Sequence, residues 1–196
     1  MASIGATFPG VQTKCNWIVL AIGWHDVSAA ILNVTDSAGD TFKLLIGRSA
    51  AISVGTSQAL YYASAIKPTA ANTVTVTFEP TAGMATAPNL RAVEYAGITA
   101  VDYFNYGSGV TSLAGPSTPT APEVNLTMYP ELVFGSGIWD GTLTKAGSGF
   151  TLRNALGGDA IIEDAFTRAA GTFGPTATFT VPVGGGEYIL HVASFY

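Results

Sequence analysis

The clearest pattern along the chain is an alternation with a period of two. In NTVTVTFE, residues 72–79, Val74, Val76 and Phe78 alternate with Thr73, Thr75 and Thr77. An apolar row set against a hydroxylated one predicts a half-buried β-strand. NWIVLAIGW, at 16–24, is apolar at nearly every position and predicts a central strand covered on both faces. SQALYYASA at 57–65 and GEYILHVASF at 186–195 alternate less cleanly but are rich in residues that fit a pleated sheet. Further strands are expected at 31–35, 40–46, 89–96, 131–138, 149–154, 159–167 and 175–181. No segment makes a convincing helix, and Gly and Pro punctuate the chain about every ten residues, the spacing of an antiparallel sandwich or barrel. The expected fold is all-β: a single domain over 1–196, built as a two-sheet antiparallel β-sandwich of the jelly-roll type.

The strand pattern occurs twice. LAIGWHD followed by DSAGDTFKLLIG parallels FGSGIWD followed by KAGSGFTLRNA. In each, a strand ends in Trp with an acid nearby, then come a glycine turn and a strand near a Phe. The order continues, QALYYASA, NTVTVTF and LRAVEYAG matching DAIIEDAF, TATFTVP and YILHVASF. This predicts two pseudo-equivalent, Greek-key-like halves, about 16–98 and 131–196, interleaved into one jelly roll. The stretch between them, 99–130, is rich in Pro, Ser, Thr and Gly and is expected as a crossover loop, in which Tyr103, Phe104 and Tyr106 form an aromatic cluster near solvent.

Composition narrows the partners. Only 11% of residues are charged, against roughly a quarter in an average soluble protein. The net charge is −5 with eight Lys and Arg, too few to neutralise a row of phosphates, so no nucleic-acid partner is expected. The apolar runs are far shorter than the roughly 20 residues of a membrane-spanning helix, so no span is expected. The opening MASIGATFPG lacks the basic and apolar regions of a secretory signal, so export by that route would need a leader removed earlier. The one cysteine, Cys15, precedes an apolar run and is expected as a small core residue without a disulfide.

Candidate chemistry is sparse. A calcium loop around Asp36 and Asp40 would need six to eight oxygens, and two carboxylates flanking Gly39 suit a turn better. The two histidines, His25 and His191, stand in no nucleophile motif and are too few, with one cysteine, for a closed zinc site. Glu163 and Asp164 are strand neighbours on opposite faces and cannot flank one glycosidic bond. Glu94 could pair with Arg91 or with an acid from the other sheet, although a lone strand acid is usually solvated. The expectation is therefore a protein without catalytic residues, metal or cofactor. Aromatic recognition remains: Trp24 and Trp139 at equivalent strand ends, with Asp26 and Asp140 beside them and Tyr103, Phe104 and Tyr106 on the same rim, would offer ring faces and hydrogen bonds to a sugar.

The run PGVQT, NWIVLAIGWHD, VTDSAGDTF, SQALYYA, NTVTVTF and LRAVEYAG, continued by GSGFTLR, GDAIIEDAF and ILHVASFY, resembles a poorly characterised group of bacterial jelly-roll modules found in large secreted or surface proteins and in phage-like proteins. The resemblance spans nearly the whole chain but rests on strands and turns. It implies a secreted, cell-surface or virion setting and brings no catalytic residues. His25 departs from it, since such modules tend to carry asparagine there. Two functions follow as expectations: a recognition or adhesion module with carbohydrate as ligand, or a self-assembling subunit of an extracellular filament or virion. In the second, the N-terminal SIGATF and the aromatic cluster would meet other copies.

Overall fold

The computed structural model describes residues 2–196 except 81–82, 112–114, 118–122, 127, 129, 140–141, 157–158, 169–170, 174–177 and 182–185. The described chain is all-β, with antiparallel pairing throughout the registered ladders and no helix. It divides into two compact units, residues 1–48 with 57–98, and residues 49–56 with 99–196.

The first unit contains β1 (Ser3–Thr7), β2 (Trp17–His25), β3 (Ile31–Asp36), most of β4 (Phe42–Ala51), nearly all of β5 (Thr56–Ala63), β6 (Thr73–Phe78) and β7 (Thr86–Tyr95). They form a three-stranded sheet, β1-β6-β3, and a four-stranded sheet, β4-β5-β2-β7. The core lies between them. Ile18, Leu20, Ile22 and Trp24 of β2 meet Val74, Val76 and Phe78 of β6, all buried. Alternation fixes this choice: a one-residue slip in β6 would turn its threonines inward. Residues 17–24 are buried on both faces of β2, as its unbroken apolar run requires.

The second unit contains β8 (Val101–Thr111), β9 (Gly115–Ser117), β10 (Val124–Leu126), β11 (Glu131–Trp139), β12 (Thr142–Lys145), β13 (Thr151–Leu156), β14 (Ala160–Thr167), β15 (Gly171–Phe173), β16 (Thr178–Val181) and β17 (Gly186–Phe195). Its sheets are β13-β14-β11-β17-β8, β12-β16-β9 and β10-β15. One apolar cluster joins Val124, Leu126, Val133, Leu190 and Val192, and another joins Ala51, Ile138, Ala160 and Ile189.

The strand order of the first unit recurs in the second. Matching β2 with β11, β4 with β13, β5 with β14 and β7 with β17 turns β4-β5-β2-β7 into β13-β14-β11-β17. Matching β1, β6 and β3 with β9, β16 and β12 turns β1-β6-β3 into β9-β16-β12. The segments that parallel one another in sequence stand at matching places. Each sheet draws its strands from one side of residue 98, so the interleaving of both halves in common sheets is absent among the described residues.

Three local expectations need correction. The segment 99–130 is not a bare crossover: β8, β9 and β10 lie in it, and β8 is a full edge strand. Cys15 is exposed, in a turn with φ of 69°, because its backbone N–H must reach Ile66 O before β2 begins. Glu94 does not pair with Arg91. It accepts from Thr13 N and Asn16 Nδ2, at 2.8 and 2.7 Å, while Arg91 donates to Gln58 at 3.0 Å, since strand positions three apart face opposite ways.

The Asp36 turn is closed by its own groups. Gly39 has φ of 71° and its N–H reaches Asp36 O. Asp36 accepts from Asp40 N and Asn72 Nδ2, both at 2.8 Å, and Asp40 accepts from Lys67 N at 3.1 Å. Lys67 Nζ donates to the carbonyls of Ala38 and Gly39.

Candidate functional site

The residues singled out from sequence separate into packed and exposed groups. Trp24 is 1% exposed, its ring edge-on to Phe78 with centroids 5.4 Å apart. Trp139 is 4% exposed. Their matching places at the ends of β2 and β11 are core positions, so the expected tryptophan rim is corrected: a ring this size is worth more inside than facing water. Gly137 makes room for Trp139, since a Cβ at 137 would press on Leu190, Trp139 and Ile161.

Asp26 is committed to its own loop. One carboxylate oxygen accepts from Ser28 N, Ser28 Oγ and Ala29 N at 2.6 to 2.7 Å. These bonds, led by the Ser28 hydroxyl, hold its carboxyl below the usual carboxylate range. It shapes the turn after β2. Asp140 lies outside the described residues.

The remaining cluster is brought together by an element that was not expected. Tyr103, Phe104 and Tyr106 lie on β8, at 49%, 50% and 57% exposure. β8 ends the five-stranded sheet and, among the described strands, hydrogen-bonds only to β17, from Gly186↔Thr111 to Phe195↔Val101. Phe104 and Tyr106 share one face of the strand and Tyr103 takes the other. The Tyr106 ring stands edge-on to His191, centroids 6.2 Å apart. His191 is buried and hydrogen-bonded through Nε2 to Ser49 Oγ at 2.9 Å. Tyr103 is held by its backbone N–H, which donates to Ser194 Oγ at 3.2 Å. A register shift between Ala193 and Phe195 sets this end of the ladder apart.

Glu163 and Asp164 engage different partners. Glu163 accepts from Gly147 N at 2.6 Å, and Asp164 pairs with Arg153 at 2.7 Å. His25 is exposed at the end of β2. Among the described residues no group of three His, Cys, Asp or Glu is placed to hold a metal ion, and no helix is long and apolar enough to cross a membrane.

No family model, curated protein or solved structure matches the chain. The reading of function therefore rests on the geometry.

Sequence reasoning missed one acidic contact. Glu131, at the start of β11, is fully buried, and one of its oxygens accepts from Met128 N at 2.9 Å. Burial, reinforced by the nearby Asp102 carboxylate, pushes its carboxyl above the usual range. The two acids lie 29 positions apart in sequence, and nothing in either local pattern links them. Only the placement of β8 in the sheet does.

Proposed function

We propose that the chain is a non-catalytic interaction module of a secreted, cell-surface or virion protein, with β8 as its contact surface. The observation that carries this reading is the exposure of Tyr103, Phe104 and Tyr106 on an edge strand of eleven residues. An edge strand presents unpaired N–H and C=O groups, and natural sheets guard such edges with Lys, Pro or short length. β8 has no Lys and no Pro, and Asp102 is its one charge. Aromatic rings on both faces of such an edge suit strand addition, in which backbone bonds give affinity and alternate side chains give selectivity.

The occupant that fits best is a second copy of the same edge, paired antiparallel, which makes the module a self-assembling subunit. A small net charge leaves little repulsion between copies. The N-terminal segment has a different place in this reading from the one expected: β1 is engaged with β6, Ser3↔Thr77 through Thr7↔Thr73, so assembly proceeds through β8. For the fold, the recurring strand order favours two Greek-key sandwiches over one interleaved jelly roll. Hydrogen exchange tests the surface directly. Protection of the outward amides of 101–111 is expected to rise with protein concentration, and concentration-independent exchange there contradicts the proposal.

A second reading, recognition of carbohydrate, loses the tryptophan platform and turns to a pocket of the first unit.

A further inference from the structure

β1 lies beside β7, which leaves the free edges β3 and β4 on the other side of the first unit. A cavity of about 400 Å³ opens there, within the roughly 300–1,000 Å³ of small-molecule sites. Buried Trp24 and Ala59 line it together with exposed Leu44 and Arg48, and Tyr61 and Ser28 complete its polar side.

The chemistry of these groups is specific. Arg48 Nη1 donates to Ala29 O at 3.2 Å, and among the described residues Arg48 makes no ion pair. A guanidinium has five N–H donors in a planar fork that matches a carboxylate. Ser28 gives its hydroxyl proton to Asp26 and keeps lone pairs to accept with. Tyr61 is half-buried, and burial pushes its phenol above 10.0, so it remains a neutral donor. Trp24 Nε1–H is buried without an acceptor among the described residues, an uncommon state for an indole.

We propose that this pocket binds a monoanionic acidic sugar of the uronic-acid class. Its carboxylate sits on Arg48, its hydroxyls meet Tyr61 and Ser28, and its C–H face lies on Leu44 and Ile31. One guanidinium on a chain of net charge −5 suits a single carboxylate better than a polyanion. Two hydroxyl-bearing neighbours suit a polyol better than a fatty acid. The proposal deepens the recognition reading by naming a ligand class, and it does not depend on β8.

The test is an amide NMR titration with the methyl glycoside of glucuronic acid and, as its neutral match, methyl glucoside. The glucuronide is expected to move the Trp24 indole and Gly47 amide signals. R48Q, at an exposed position with one backbone bond, is expected to weaken binding at least tenfold while the spectrum stays folded. The β8 variant Tyr103→Ser/Phe104→Ser/Tyr106→Ser is expected to bind the glucuronide as the parent does, whatever it does to assembly. No shifts at these two signals, equal binding of the neutral sugar, or an R48Q variant that binds like the parent would each overturn the proposal.

Discussion

At the scale of single residues, Asp26, Glu163 and Asp164 are each hydrogen-bonded within the fold, and the Asp36 turn is tied together in the same way. Lys67 bridges the carbonyls of Ala38 and Gly39 across a turn whose two carboxylates are already hydrogen-bonded. Hydrogen bonds from a charged donor contribute more than neutral ones, reduced here by solvent. Lys67→Met is expected to lower stability by about 1 kcal/mol in urea denaturation, and added calcium is expected to leave the parent's melting temperature unchanged.

Glu131 gives the opposite lesson. A carboxyl raised above its ordinary 4.5 by burial binds protons more tightly folded than unfolded. Its contribution is favourable below that value and is lost as pH climbs through the raised one. Glu131→Gln keeps an acceptor for Met128 N without the charge. It is expected to raise the melting temperature at pH 8 and to flatten the fall in stability as pH climbs above the ordinary carboxylate range. An unchanged pH profile would remove Glu131 from the account.

At the scale of elements, strands whose own alternation matched their burial were legible. The alternation over 72–79 predicts β6, which spans Thr73–Phe78 with its valines buried and its threonines half-exposed. The unbroken apolar run of β2 predicts a strand covered on both faces, and residues 17–24 are buried. β8 falls in the segment whose richness in Pro, Ser, Thr and Gly predicts a crossover loop, and Asn105, Gly107 and Gly109 give it no clean alternation. Its strand character comes from β17, through a ladder that no local window contains. The sequence places Trp24 and Trp139 near strand ends, but a strand end in sequence does not reveal whether it is a rim in space, and both rings are buried. β11 carries a further consequence of packing: Gly137 is the slot for Trp139, Leu190 and Ile161, while its counterpart in β2 is the bulky Ile22. Gly137→Ala is expected to cost about 1–3 kcal/mol through overpacking. Gly10→Ala, with open space around its Cβ, is expected to lie within about 0.5 kcal/mol of the parent in the same assay.

At the scale of the whole molecule, two units of one strand order share a chain in which 11% of residues are charged. With so few charges, little opposes contact between copies, and the sequence pI of 4.8 places the weakest repulsion in mild acid. Assembly is accordingly expected to strengthen as pH falls from 8 toward 5, read as average mass in solution.

The most direct test of β8 as the contact surface is light scattering at several concentrations, on the parent and on Tyr103→Ser/Phe104→Ser/Tyr106→Ser. The parent is expected to exceed 20.1 kDa increasingly with concentration, and the triple variant to stay at the monomer mass. A parent that remains at 20.1 kDa throughout, or a variant that assembles as readily as the parent, would contradict it.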